Sequence, residues 1–243
     1  MGGSGPGRYS YDVVPGQGGY WDDQENSFVS ELATLSELNQ FNGRVTYDVA
    51  ETWELGVSAQ IGGFYNKSLN EIETSTAFAG HLVGDFGNFN LKAEYVTYDY
   101  NTKSNNGNAL DVIQMGAYGY EYFGAPDELA PHDEGYYSGG VAAEANMYLV
   151  GLAYSLPVEW APISSLQTYV DYTLIDKTHN NFHDTHHLVP GILIITGNIY
   201  TYIDYAIGKN QPWLTGYFGQ GLGTGVENAE WNKRFNINIG YYF

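Results

Sequence analysis

Apolar and polar residues alternate at every second position along much of this chain. From Arg234 to Phe243 the odd positions carry Phe, Ile, Ile, Tyr and Phe, and the even positions are polar or small apart from Tyr242. Side chains of a β-strand point alternately to its two faces, so this alternation predicts strands with one apolar and one polar face. The same pattern recurs over 41–49, 52–62, 165–174 and 198–208, with further candidates at 8–14, 28–38, 74–86, 88–100, 110–122, 143–156 and 186–196.

The chain is therefore predicted to be an all-β protein with about 12 antiparallel strands, in a range of about 10–16. Gly87-Asn88 and Gly197-Asn198 predict tight turns. When strand directions are counted back from the C-terminus, strand 143–156 would run in the same direction as 110–122, which successive antiparallel strands do not do. Either a further strand lies within 123–142, near Tyr136–Val141, or one predicted strand is wrong. Long polar loops are predicted at 101–109, 123–135, 177–185 and 209–230. Short turns at one end and long loops at the other are typical of outer-membrane barrels.

The apolar stripe of the clearest strands carries no charge. A charged side chain there would cost about 2–4 kcal/mol at the midplane of a bilayer. Aromatic residues lie near strand ends, where headgroups would meet them: Trp53, Phe86, Phe89, Trp160, Trp213 and Trp231. We therefore predict an antiparallel transmembrane β-barrel whose polar face lines the lumen. A soluble β-sandwich is the alternative fold.

The predicted lumen is polar and acidic. Its lining residues are Arg44, Asp48, Glu54, Gln60, Lys92, Glu94, Gln167, Asp171, Asp204, Arg234, Asn236 and Asn238. Carboxylates outnumber bases, which favours cations or neutral solutes over anions. The rings of Tyr169, Tyr200 and Tyr202 could stack against sugars. Alternatively, these residues only keep the interior solvated through cross-strand pairs.

Composition and motifs exclude several other functions. The net charge of −19 would repel nucleic acid, and the absence of cysteine excludes disulfides and thiolate chemistry. There is no run of about 18 apolar residues that would predict a transmembrane helix. Neither G-x-S-x-G nor H-E-x-x-H occurs, so no enzyme and no cofactor is predicted.

One histidine-rich loop is the main candidate for metal binding. His179, His183 and His186 are spaced so that two or three imidazoles could share a divalent ion if the loop folds back. A solvated polar loop is the simpler interpretation, and no metal is predicted. The acidic pairs Asp127-Glu128 and Asp133-Glu134 could likewise bind Ca²⁺ or only be solvated.

The tail Arg234–Phe243 resembles the C-terminal assembly signal of Gram-negative porins. That resemblance implies that the outer-membrane assembly machinery recognises Phe243, together with Tyr241 and Ile239. The segments Asn198–Trp213 and Tyr154–Trp160 resemble phosphate-selective porin O/P-like proteins. The chain lacks the ladder of Arg and Lys that anion selection requires, so phosphate selectivity does not carry over.

Taken together, residues 1–7 are interpreted as an added leader and residues 8–243 as a single transmembrane barrel. The predicted function is an outer-membrane channel, a porin, for passive diffusion of small polar solutes, cationic or sugar-like. The predicted partners are the lipid bilayer, these solutes and the assembly machinery, with self-association left open. The alternative is a plugged, surface-anchored barrel that binds a ligand or partner through its long loops.

Overall fold

The computed structural model describes residues 19–31, 33–119, 136–158, 160–215 and 220–243. The predicted strand 8–14 and the acidic loop 123–135 lie outside these residues. The described chain forms fourteen strands in two antiparallel sheets, so the prediction of an all-β, antiparallel protein is confirmed. None of the described residues belongs to a helix long and apolar enough to cross a membrane.

The strands follow the alternating segments of the sequence closely. In chain order they are β1 (Gly19–Asp22), β2 (Ser27–Ser30), β3 (Leu35–Glu37), β4 (Phe41–Val49), β5 (Trp53–Asn66), β6 (Glu71–Phe86), β7 (Phe89–Asn101), β8 (Val112–Gly119), β9 (Tyr136–Ala142), β10 (Glu144–Leu156), β11 (Ser165–Lys177), β12 (Thr185–Thr196), β13 (Ile199–Lys209) and β14 (Asn232–Tyr241).

The differences from the predicted strands lie near the beginning of the chain and around the long loops. The predicted strand 28–38 is divided into β2 and β3, and the short strand β1 was not predicted. Strand β9 lies where a further strand was expected near Tyr136–Val141, so that prediction is confirmed.

Ten strands form the main sheet. β3 and β4 pair with successive parts of β5, and β5, β6, β7, β10, β11, β12, β13 and β14 follow as antiparallel neighbours. Strand β10 pairs antiparallel with β7. Strands β8 and β9, which lie between them in the sequence, belong to the other sheet and do not interrupt the alternation of strand directions in the main sheet. Strands β4 and β14 form the two edges, and the described strands do not close into a barrel.

The two ends of the main sheet differ in their connections. At one end, the turn end, the connections are 50–52, 87–88, 157–164 and 197–198; at the other, the loop end, they are 67–70, 102–143, 178–184 and 210–231. Both predicted tight turns are present. Gly87 and Gly197 adopt φ values of 63° and 58°, which glycine accepts without steric penalty.

The second sheet lies at the loop end. It has the order β2-β1-β8-β9, and we call it the rim sheet. Trp21 and Phe28 of this sheet pack against a buried cluster of Val112, Ala142 and Phe182. Because Phe182 belongs to the loop between β11 and β12, this cluster joins the rim sheet to the main sheet.

The buried apolar side chains of the described residues also lie at the loop end. Leu35 and Phe64 are each 1% exposed where β3 meets β5, and Val112 is fully buried at the start of β8. By contrast, Val45 and Ile237, in the middle of the edge strands, are 70% and 55% exposed. The main sheet therefore has no hydrophobic core packed against the middle of either face in the described part of the chain.

A buried lysine forms hydrogen bonds with two loops at the loop end. Lys177 Nζ donates hydrogen bonds to the carbonyl oxygens of His183 (2.7 Å) and Gly221 (2.8 Å). The Thr185 hydroxyl also donates to the Gly221 oxygen, at 2.6 Å. Lys177 lies beyond the last apolar side chain of β11. Burial lowers the pKa of Lys177 to about 7, against the opposing attraction of Asp184.

Replacing this lysine tests whether it holds the loops together. Lys177→Met is expected to lower the free energy of unfolding by about 1–3 kcal/mol, because it removes two hydrogen bonds from buried carbonyl groups. Hydrogen exchange at 220–224 should accelerate as well. The matched control is Lys67→Met, which changes an exposed lysine in a turn; equal behaviour of the two variants would contradict this role.

The same substitution should also change how the stability of the protein depends on pH. In the folded protein the pKa of Lys177 lies near 7, below its ordinary value of 10.5, so the unfolded chain binds more protons between these limits. Stability should therefore rise with pH across that window in the parent protein and rise less in Lys177→Met, measured by chemical denaturation at several pH values.

Candidate functional site

The register of the main sheet places all twelve predicted lining residues on one face, which we call the polar face. Asp48 lies opposite Glu54, and Asp204 lies opposite Asn236. Gly151 lies between Lys92 and Asp171 on neighbouring strands. Because paired residues of antiparallel strands point to the same side, one continuous register carries this set from β4 to β14.

The opposite face is apolar along most of its height. Val45 pairs with Val57, Leu55 with Leu82, and Ile203 with Ile237. In the ten strands of the main sheet, the charged side chains on this face are confined to the last three positions at the loop end: Asp99, Glu144, Asp176, Lys209 and Lys233. The apolar face is therefore a charge-free band bounded by charged groups at one end.

Aromatic rings bound the same band at the turn end. Trp53 and Phe86 are stacked with ring centroids 6.1 Å apart, Phe86 and Phe89 are 5.2 Å apart, and Phe89 and Tyr154 are 4.6 Å apart. These four rings come from four neighbouring strands, β5, β6, β7 and β10. Trp53, Phe86 and Phe89 lie at strand ends, as the sequence predicted, and Tyr154 was not in the predicted set.

Cavities lie along the polar face. One cavity of about 380 Å³ is lined by both Arg44 of β4 and Asp171 of β11, together with His81, Lys92 and Glu94. The Arg44 side chain reaches across β5 to His81 of β6, with Nη2 3.1 Å from Nε2, so this cavity extends along the polar face from β6 to β11.

A hydrogen-bonded triad of Glu54, Arg44 and His81 lies on the polar face. Glu54 Oε1 is 3.0 Å from Arg44 Nη2 and 2.9 Å from His81 Nε2. The imidazole of His81 fits because its neighbour on β5 is Gly56, where a Cβ atom would come within 2.0 Å of the ring. His81 was not singled out in the sequence, although its alternate position within β6 assigns it to the polar face.

A second cavity, of about 520 Å³, lies nearer the turn end. It is lined by Lys92, Asp171, Tyr169, Tyr202 and His187, among others. The Tyr169 ring lies against Gly191, and its hydroxyl donates to Asp204 Oδ2 at 3.3 Å. The cavity thus combines two aromatic rings with charged and polar groups.

Comparisons with known proteins do not identify a relative of this chain. A scan against protein-family models finds no match, and searches of curated proteins and of solved structures return no similar protein. The resemblance to porins therefore stays a prediction.

The histidines proposed for metal binding have separate surroundings. His179 packs against Phe182 at 4.6 Å, and His186 Nδ1 lies 2.9 Å from the Tyr172 hydroxyl. The backbone carbonyl of His183 accepts the hydrogen bond from Lys177. Among the described residues, no three metal-ligating side chains come together. The acidic pairs within 127–134 lie outside the described residues.

The residues of the predicted assembly signal lie at the edge of the main sheet. Ile239 and Tyr241 point to the apolar face opposite Thr201 and Ile199, and both are largely exposed. Phe243 follows the end of β14 and is fully exposed. The three side chains are therefore accessible to a partner.

The close fit of Tyr169 over Gly191 can be tested directly. Gly191→Val should lower the free energy of unfolding by about 1–3 kcal/mol, because the new side chain overlaps the ring. The loss should largely disappear in a Tyr169→Ala background, measured as a double-mutant cycle. Gly43→Val, at a strand position with nothing within 4 Å, is the control; similar losses at both glycines would refute the overlap.

Proposed function

We propose that this chain is a bacterial outer-membrane β-barrel whose lumen lets small polar solutes diffuse passively. The observation that carries the proposal is the contrast between the two faces of the main sheet. One face is apolar, carries charges only at the loop end and is uncovered in the described part of the chain, while the other face is polar and is lined by cavities.

A hydrocarbon layer is the environment that suits the apolar face. Moving one Val, Leu, Ile or Phe side chain out of water contributes about 1.5–3 kcal/mol, and this face exposes many of them. The charge-free stretch runs from Phe89 to Thr97 on β7 and from Asn146 to Leu156 on β10. Strands of about 9–11 residues suffice to cross a bilayer.

The chemistry of the polar face indicates which solutes would pass. Its acids exceed its bases, and Arg44 is already paired with Glu54. Glu94 and Asp171 therefore favour cations, and Lys92 is a base that lines the same cavity. Tyr169 and Tyr202, beside polar groups in the larger cavity, offer stacking surfaces for neutral sugars.

The location and assembly of the protein follow from the same proposal. In the bacterial outer membrane, the lipid bilayer would cover the apolar face. The assembly machinery would recognise the exposed tail with Ile239, Tyr241 and Phe243, as the resemblance to porins implies. No reaction and no cofactor are part of this function.

A plugged barrel that works through its loops is the second candidate. It is favoured by the position of the rim sheet, which contacts loops from separate parts of the main sheet. Asp111 N donates to Gly19 O at 2.9 Å, and Ala142 N donates to Leu222 O at 2.8 Å. A rim sheet that closes the mouth would leave a binding surface and no open channel.

Conductance distinguishes the two candidates. Protein folded in detergent should produce discrete conductance steps in planar bilayers, with cation preference in a salt gradient. Glu94→Gln combined with Asp171→Asn should lower the cation-to-anion permeability ratio about two- to fivefold, the effect of losing about 0.4–1 kcal/mol of attraction. Asp23→Asn, in an exposed turn, is the control. Folded protein without conductance would instead favour the plugged barrel.

Matched substitutions on one strand test which face meets lipid. Ile237→Lys places a charge on the apolar face and should cost about 2–4 kcal/mol near the bilayer midplane, seen as a lower refolding yield in lipid vesicles. Asn238→Lys, the adjacent residue on the polar face, should refold nearly as the parent chain does. Refolding without detergent or lipid, or a larger loss for Asn238→Lys, would argue against the membrane proposal.

A further inference from the structure

Two opposite charges face each other across a glycine on the polar face. Lys92 of β7 and Asp171 of β11 both pair with Gly151 of β10, the strand between them. The Asp171 carboxylate lies over Gly151, in the space that a Cβ atom would take. At about 4.8 Å for each step between strands, the backbones of the two charged residues are about 10 Å apart. Because glycine has no side chain, nothing on β10 separates the two charges at this level of the sheet.

These two charges have no partner in the described part of the chain. The side chains of Lys92 and Asp171 form no ion pair and no hydrogen bond among the described residues. By contrast, Glu54 binds Arg44 at 3.0 Å, and Asp204 accepts a hydrogen bond from a tyrosine hydroxyl. Lys92 and Asp171 are also exposed, so a solute can reach both of them without displacing an existing contact.

The two cavities of the polar face share this pair. Lys92, Gly151 and Asp171 line both the cavity of about 380 Å³ and the cavity of about 520 Å³. The larger cavity is also lined by Tyr169 and Tyr202. Cavities of about 300–1,000 Å³ are the usual size for small organic ligands. A solute held between the two charges would therefore have aromatic rings beside it.

We infer that Lys92 and Asp171 form a binding site for a small zwitterion, whose carboxylate binds the lysine and whose ammonium binds the aspartate. An α-amino acid has this form, with its nitrogen about 2.5 Å from its carboxyl carbon. With a charge-assisted hydrogen bond of about 2.8 Å at each end, such a ligand spans about 8 Å between the two protein groups. Side chains that start about 10 Å apart can hold it from both sides.

The combination of charges decides the class of ligand. In the part of the chain that the structure describes, Lys92 is the only lysine or arginine that lines the larger cavity, and Asp171 is its only carboxylate. A simple cation between them would be attracted by Asp171 and repelled by Lys92, and the reverse holds for a simple anion. A zwitterion is attracted by both groups at once. The role of the site in passage rests on the proposed function, since the solute must enter the lumen to reach it.

The rest of the larger cavity favours an aromatic side chain on the ligand. Val189 and Leu193 line it together with Tyr169 and Tyr202. The Tyr169 ring lies against Gly191, which keeps the ring close to the sheet. Aromatic rings contribute more than their buried area when they pack against one another. L-phenylalanine is therefore a suitable probe.

Ligand binding to the full-length chain folded in detergent tests the inference. Saturation-transfer NMR with deuterated detergent measures the binding of L-phenylalanine, and the signal from empty micelles is subtracted. A Kd of about 1–5 mM is expected for a ligand of this size. Two probes that each keep one of the charges, 2-phenylethylamine and 3-phenylpropionate, should bind about fivefold or more weakly, because each leaves one protein charge unpaired.

Single substitutions test which group binds which end of the ligand. Lys92→Gln should weaken L-phenylalanine binding about fivefold or more while 2-phenylethylamine binds at least as well as before. Asp171→Asn should weaken L-phenylalanine equally and spare 3-phenylpropionate. Because each variant still binds one probe, loss of the zwitterion is distinguished from misfolding. Lys67→Gln and Asp23→Asn, in exposed turns, are the matched controls and should bind as the parent chain does.

Two results would overturn the site. L-phenylalanine that binds no more tightly than 2-phenylethylamine would indicate a simple cation site, and equal binding by Lys92→Gln and Lys67→Gln would remove the lysine from it. Conductance is measured separately on the same preparations. A chain that conducts but does not bind L-phenylalanine overturns the site and leaves the channel standing, whereas a chain that binds it without conducting supports the site and favours the plugged barrel.

Discussion

The structure depends on one constraint: each strand of the main sheet must place its apolar side chains on the same side as its neighbours do. Side chains alternate with a period of two, so a shift of one residue in any pair would exchange the two faces of that strand. The register holds this alignment continuously from β4 to β14. A sheet built in this way has one face that water solvates well and another that needs an apolar environment.

That division explains where the protein buries its side chains. A globular domain would cover the apolar face with a second layer, but the second sheet of this chain lies at the loop end instead. The closely packed residues, from Phe64 and Leu35 to the hydrogen-bonded Lys177, therefore gather where the strands end and the long connections meet. The loop end holds the connections in place; in the proposed barrel, lipid would cover one face of the middle of the sheet and solvent the other.

The sequence predicted the parts of the fold that have a local signal. Strands such as β14 and β10 alternate clearly, and the turns at Gly87 and Gly197 have a glycine where φ is positive. The rim sheet could not be predicted, because Gly19 pairs with Val112, more than ninety positions away, and no local pattern records such a pairing. Nor could the hydrogen bond between Glu54 and His81 be predicted, since it required the register between β5 and β6. The twelve residues of the polar face were accessible to prediction because they need only the period of two.

Glycines on the polar face affect how much open space is left beside the sheet. Gly56, Gly151 and Gly191 each lie beside a large side chain on the next strand, His81, Asp171 and Tyr169 respectively. A residue with a Cβ at any of the three positions would overlap that neighbour and push it away from the sheet. With glycine, the larger groups lie along the sheet, and the cavities of about 380 and 520 Å³ stay open beside them. In the proposed channel, the small residues would thus be as important as the charged ones, because they would determine the width of the passage while the charges determine which solutes favour it.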